Sequence, residues 1–161
     1  MIILYTYIPT LLVCELLRWL RKRNGKNQTM TIEDSLRYAV VIVLLVIGSS
    51  HFSPLKYDML AMLPPPIPKD ISVIYLTGVV ELAGAIGLLI ARTRLLAIYC
   101  LILMLICLFP ANIYAALNGI PFNGRPATPL MIRTPIQLLL IASLVLVALH
   151  ERKRKRKGKG K

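Results

Sequence analysis

Cysteine and histidine are scarce in this 161-residue chain. The three cysteines lie in apolar stretches and form no CxxC or CxxCH motif. This spacing argues against a disulfide scaffold, a zinc site, a thioredoxin-like motif and covalently attached haem. Of the two histidines, only His51 falls in a predicted membrane region, so axial haem ligation by two histidines is not supported either. We therefore assign no metal and no haem site.

Acidic residues are also few. Seven Asp and Glu stand against twenty Lys and Arg, and the formal net charge is +13. The basic residues fall in blocks between long neutral runs, and no aromatic residues are interleaved with the basic tail, so we expect no nucleic-acid partner. Hydrophobic residues make up 57% of the chain, more than a soluble fold of this size can bury. These features predict an integral membrane protein.

Four segments are apolar enough to cross a bilayer. Its hydrocarbon core is about 30 Å thick, which a helix of about 20 residues spans. Because lipid offers no partner to free backbone polar groups, these segments are predicted to be helices. A Thr31–Asp34 capping box precedes the first, and Asp70 can cap the second. The segments are residues 36–52, 71–91, 95–117 and 130–149.

The predicted fold is thus all-α, an integral membrane four-helix bundle with a further N-terminal membrane helix left open. The apolar run at 2–14 has 13 residues, so the segment 1–20 either spans or lies in the interface. We expect three parts: an N-terminal apolar segment with a basic linker at 1–35, the four-helix membrane domain at 36–150, and a basic cytoplasmic tail at 151–161.

The basic residues predict the orientation. Sixteen of the twenty Lys and Arg lie before the first predicted span, between the second and third, or after the fourth. Lys and Arg concentrate in cytoplasmic loops, so the C-terminus is expected in the cytoplasm and the loops 53–70 and 118–129 outside. The basic tail at 151–161 is interpreted either as a topology signal or as a binding surface for anionic lipid headgroups.

Glu81 is the most unusual polar residue. It is the eleventh of 21 residues in its predicted span, about 15 Å from either end. An ionisable group at the bilayer centre costs about 2.5 to 3.5 kcal/mol on insertion scales. The small residues Gly78, Gly84 and Ala85 share its helix face and favour close helix packing. Glu81 is therefore either a structural group that fixes helix pairing or part of a proton or ligand site.

Four other polar residues fall in the outer half of the predicted spans. We expect them to form one outward-opening pocket with Glu81 at its floor. Two have alternative interpretations: an Arg133 side chain that extends to the headgroups, and a Gln137 that completes a capping box with Thr134. The candidate ligand-binding residues are His51, Glu81, Asn112, Arg133 and Gln137.

Several ordered motifs resemble the DoxX-like membrane proteins over about residues 37–149. They are Gly48-x-x-His51-Phe52, the 64–68 proline run, Gly78-x-x-Glu81-x-x-Gly84-x-x-Gly87, Phe109-Pro110-Ala111-Asn112-Ile113 and Arg133-x-Pro135-x-Gln137. The resemblance implies a four-helix bundle in a bacterial inner membrane. The family is named after a subunit associated with thiosulfate:quinone oxidoreductase, and other relatives resemble partners of redox enzymes or receptor-assembly chaperones.

Two functions follow as hypotheses. The first is a membrane subunit or accessory of a quinone-linked redox system, with the five candidate residues around a quinone or similar lipophilic ligand. The alternative is an assembly or chaperone factor that docks another membrane protein, or a second copy of itself, through the stripe of Gly78, Gly84 and Ala85. Whether the chain is an enzyme is left open. The expected location is the cell inner membrane, with the lipid bilayer as partner.

Overall fold

The computed structural model describes residues 2–23 and 30–159. All regular elements in these ranges are helices, which confirms the predicted all-α class. Two of the basic residues counted in the orientation prediction, Lys26 and Lys161, lie outside the described residues. The helices are α1 (Ile2–Arg23), α2 (Ile32–Ser50), α3 (Lys56–Ala61), α4 (Ile71–Leu89), α5 (Arg94–Leu117) and α6 (Leu130–Lys159).

Two helix starts follow the predicted capping. The Oγ1 of Thr31 accepts a hydrogen bond from the Asp34 N–H at 3.3 Å, and the Asp34 carboxylate accepts one from the Thr31 N–H at 3.1 Å. At α4, the Asp70 carboxylate accepts from the Ser72 N–H at 2.9 Å. Such bonds satisfy backbone donors that a helix leaves free in its first turn.

Four helices are long and apolar enough to cross a membrane: α1, α4, α5 and α6. The N-terminal segment is therefore long enough to span. The predicted span 36–52 differs from the structure, because α2 ends at Ser50 and begins with three charged residues, Glu33, Asp34 and Arg37. The longest uncharged run of α2 is residues 38–50, which is about 20 Å of helix.

Despite its short apolar stretch, α2 is the central helix. It packs against α1, α4 and α6, while α5 packs against α4 and α6. The helices α2, α4, α5 and α6 thus form a closed ring, with α1 against its outside. Tyr7 of α1 is 2% exposed, and its hydroxyl lies 2.7 Å from the Ser143 Oγ of α6. The ring core includes Val40, Val43, Leu88, Ile98, Leu101 and Leu144.

The ring has two chemically different ends. At the loop end, the Asn123 N–H donates to Asp58 at 2.8 Å, which joins the loop 118–129 to the loop that contains α3. At the basic end, the start of α2, the turn between α4 and α5 and the last part of α6 come together around Glu151. The predicted boundary between 150 and 151 falls inside α6, which continues to Lys159.

Candidate functional site

The Glu81 side chain is buried between α2 and α4. Glu81 is 5% exposed, and His51, directly after α2, is 6% exposed. The carboxylate Oε2 of Glu81 lies 3.7 Å from the Nδ1 of His51 and has no hydrogen-bond partner among the described residues. The same Nδ1 lies 2.9 Å from the Ile47 carbonyl oxygen, which can only accept. In the neutral imidazole this leaves the His51 Nε2 as an acceptor.

Small residues bring the helices close together around this pair. A Cβ at Gly78 would lie 2.6 Å from the His51 Cβ, and a Cβ at Gly84 would lie 2.5 Å from Leu101 of α5. Ala85 is 0% exposed. The predicted small-residue stripe is therefore a packing surface inside this chain, where α2 and α5 cover it.

A second polar cluster joins α5 to α6. Arg133 donates from NH1 to the Asn112 Oδ1 at 3.2 Å, and the Asn112 Nδ2 donates to the Gln137 Oε1 at 3.2 Å. Gln137 in turn donates from Nε2 to the Leu105 carbonyl at 2.6 Å. The Arg133 Nε donates to the Thr128 carbonyl at 2.9 Å. These hydrogen bonds form one connected network from the start of α6 to the middle of α5.

The structure corrects two alternative interpretations from the sequence. The capping box of Thr134 and Gln137 is wrong, because α6 begins at Leu130 and the Gln137 side chain reaches α5 instead. The guanidinium of Arg133 is held by Asn112 of α5, so it does more than extend toward headgroups.

The five predicted residues form two clusters. Within residues 30–159, no hydrogen bond or ion pair links the pair His51 and Glu81 to the cluster of Asn112, Arg133 and Gln137. The inner end of the second cluster, where Gln137 donates to the Leu105 carbonyl, is nevertheless at a depth similar to that of Glu81. Gly84 lies against Leu101, so Leu105, one turn further along the antiparallel α5, is at about the level of Glu81.

Two cavities lie away from these clusters. One of about 340 Å³ opens between α1 and α6 and has an apolar lining that includes Leu4 and Pro135. The other, of about 240 Å³, lies between α1 and α2 at the basic end. None of the five predicted residues lines either cavity.

A buried ion cluster at the basic end was not predicted. Glu151 is 4% exposed and pairs with the NH1 of Arg94, and it lies 3.8 Å from the NH1 of Arg37 and 3.7 Å from the NH1 of Arg154. Arg94 also donates from Nε to the Leu88 carbonyl at 2.9 Å. The available signal in the sequence was a single acidic residue at the start of the basic tail, and the tail was interpreted as a topology signal or a lipid-binding surface, without an ion cluster.

No group of three or more His, Cys, Asp or Glu residues in the described part of the chain could hold a metal ion. The cysteines are free; Cys100 and Cys107 are exposed on α5 and Cys14 is buried in α1. The arrangement at Glu81 instead offers a carboxyl group and an imidazole to a small organic molecule with polar oxygens.

The helical ring and its apolar helices define an all-α multi-pass membrane protein. Residues 40–148 match the model of a family described as "Domain of unknown function (DUF8561)", and the chain belongs to this family. No curated protein and no solved structure matches the chain. The matched residues run from α2 into α6, so they contain all five candidate residues and leave α1 out.

Proposed function

We propose that this chain is a DoxX-like membrane protein that binds a quinone or a similar lipophilic molecule, as a subunit or accessory of a quinone-linked redox system in the inner membrane. The observation that carries this proposal is the Glu81 carboxyl group, which is buried in the ring and has one oxygen without a hydrogen-bond partner among the described residues.

An unpartnered buried polar group costs about 1 to 3 kcal/mol, and more when it is charged. Helix packing alone does not require this cost, because Gly78 and Gly84 already bring the helices together. A ligand oxygen would remove it. A protonated carboxyl group donates to a quinone carbonyl, while a carboxylate or the His51 Nε2 accepts from a quinol hydroxyl.

The second cluster supports a ligand with partial negative charge. The Arg133 guanidinium donates only to neutral oxygens, those of Asn112 and Thr128. No carboxylate lies within ion-pair distance of it among the residues that the structure describes. An arginine in this state attracts a carbonyl oxygen or the anionic form of a quinone ring more strongly than a neutral donor does.

The resemblance to DoxX-like proteins supports the same proposal, because the site residues lie in the motifs that carry it. His51 ends the Gly48-x-x-His51 motif, and Glu81 is the centre of the Gly78-x-x-Glu81-x-x-Gly84 motif. Asn112 is the fourth residue of the Phe109-Pro110-Ala111-Asn112 motif. The assembly-factor alternative has less support. The stripe of small residues on which it was based is covered by α2 and α5 of the same chain.

The test is photolabelling of the purified protein in lipid nanodiscs with an azido-quinone. We expect labelled peptides from α4 and from the segment around His51, and competition by the unmodified quinone. Glu81→Gln should weaken binding about tenfold, since a hydrogen bond to a charged group contributes about 1.5 kcal/mol or more.

Glu33→Gln is the matched control, because Glu33 is a helical carboxylate at the basic end, paired with His150 at 3.4 Å. It should bind the quinone as the parent protein does. Equal labelling of the parent and the Glu81 variant, with both running as one species in size-exclusion chromatography, would refute the site.

A further inference from the structure

The cavity between α1 and α2 has a charged lining unlike that of the apolar cavity between α1 and α6. Its volume is about 240 Å³ and it lies where α1 ends and α2 begins. Of the five described residues that line it, three are charged. The lining residues are Arg21, Met30, Asp34, Arg37 and Tyr38.

Arg37 is held in this lining by two carboxylates. Its NH2 lies 3.0 Å from the Asp34 Oδ1, and its NH1 lies 3.8 Å from the Glu151 Oε1. The other Asp34 oxygen accepts from the backbone N–H of Thr31 at 3.1 Å, so the helix cap positions the carboxylate. The guanidinium is therefore oriented before any ligand binds.

One donor of Arg37 remains unused. Arg37 is 7% exposed, and its Nε has no hydrogen-bond partner among the described residues. Arg94 shares the Glu151 carboxylate, yet its Nε donates to the Leu88 carbonyl. The Nε atoms of the two arginines therefore differ in hydrogen bonding, and of these two arginines Arg37 lines the cavity.

The cavity region also carries excess positive charge. Among the described residues of the lining, Asp34 is the only acidic one, against Arg21 and Arg37. Glu151 cannot neutralise the excess, because it is already shared with Arg94 and Arg154. An anion in the cavity would therefore gain attraction from two arginines at once.

Trp19 places the cavity at headgroup depth. It is 53% exposed on α1, two residues before Arg21, and the guanidinium of Arg23 lies 5.5 Å from its ring centre. Exposed tryptophan beside arginine is typical of the interface between hydrocarbon and headgroups.

We propose that this cavity binds the phosphate of an anionic phospholipid from the leaflet at the basic end. The phosphate accepts hydrogen bonds from Arg21 and from the guanidinium of Arg37, whose Nε–H has no acceptor among the described residues. This site lies between α1 and α2 and is separate from any binding of headgroups along the basic tail.

Trp19 is the only tryptophan in the chain and reports on this site. The protein is reconstituted in phosphatidylcholine vesicles with a small mole fraction of phosphatidylglycerol brominated close to the glycerol, and quenching of Trp19 fluorescence is measured. Brominated phosphatidylcholine serves as the reference lipid. We expect an association constant about fivefold higher for phosphatidylglycerol. Arg21, which forms no ion pair among the described residues, adds about 1 kcal/mol near the surface, whereas Arg37 is already paired with Asp34 and Glu151.

Arg21→Gln should remove this preference without disturbing the fold, because Arg21 is exposed and forms no ion pair among the described residues. Arg37→Gln should remove it as well. The matched control is Arg156→Gln, an exposed arginine of the tail, which should keep the preference. Inorganic phosphate in the buffer should not restore the fluorescence.

Three results would overturn the proposal. Equal quenching by the two brominated lipids would mean that no headgroup is selected. An equal loss in the Arg156 and Arg21 variants would assign the effect to the diffuse charge of the basic end. Recovery of the fluorescence with inorganic phosphate would show a site for soluble phosphate instead of lipid.

Discussion

Two glutamates of this protein, Glu151 and Glu81, are buried to nearly the same degree but differ in their hydrogen-bond and ion-pair partners. Glu151 at the basic end is 4% exposed and lies among three arginines. Glu81 in the ring is 5% exposed, and one of its oxygens has no hydrogen-bond partner among the described residues. A buried carboxylate that is paired with arginines stabilises the fold, since removing it would leave the arginines buried without a counter-charge. A buried carboxyl group with an oxygen that lacks a hydrogen bond can instead bind a ligand. Burial alone therefore does not distinguish structure from function; the partners do.

The strongest test of this contrast is Glu151→Gln. It leaves Arg37 and Arg94 buried without their shared carboxylate, and breaking a buried ion pair costs about 3 to 5 kcal/mol. We expect a large loss of unfolding free energy, measured by denaturant titration in detergent micelles. Glu15→Gln, in the partly exposed pair with Arg18, should cost less than about 1 kcal/mol. Equal losses would mean that the cluster does not stabilise the ring.

Gly78→Ala tests the close contact beside Glu81. The new Cβ would lie 2.6 Å from the His51 Cβ, so α2 and α4 must separate. Overpacking of this kind costs about 1 to 3 kcal/mol and moves His51 away from Glu81. Thermal unfolding should show the loss, and quinone labelling should fall with it. The control Ala83→Leu adds volume on the exposed face of the same helix and should change neither.

Glu81→Gln should have a much smaller effect on stability than Glu151→Gln. The carboxyl group that it replaces has an oxygen without a hydrogen bond among the described residues, so the substitution removes no hydrogen bond at that oxygen. We expect the free energy of unfolding to change by less than about 1 kcal/mol. The same denaturant titration measures it. A loss as large as that of the Glu151 variant would make Glu81 a structural residue and remove the contrast.

The smallest expected effect is at the loop end, where Asp70 caps α4. The Ser72 backbone N–H holds the pKa of the Asp70 carboxyl below its usual value. The lower pKa in the folded state means that the cap stabilises the protein above about pH 4 and that this contribution is lost as the pH falls through the folded pKa. Asp70→Asn keeps an acceptor, so it should flatten that part of the pH dependence of thermal stability.

The local features of the fold follow from the sequence. Runs of apolar residues predicted the helices α4, α5 and α6, since lipid forces backbone groups to pair within each segment. The caps at Thr31 and Asp70 were predicted correctly because they involve residues two or three positions apart. The central role of α2 was harder to predict, because its charges become compatible with burial only once Glu151 lies beside Arg37.

The candidate site was predicted in part. The sequence placed Glu81 deep in a helix on a face of small residues, and that position is determined by helical periodicity alone. It did not show that His51 would lie beside Glu81 while Asn112, Arg133 and Gln137 would form a separate cluster.

The sequence by itself thus determined the all-α class, the starts of α4 and α6, the extent of α5 to within a residue, and the presence of a carboxyl group deep among apolar residues. Only the tertiary structure decided which charges are paired. Arg94 and Glu151 are 57 residues apart, and Tyr7 and Ser143 are 136 apart. The physical reason is that helix formation depends on neighbours within a turn or two. The pairing of a buried charge depends on which distant helix packs beside it.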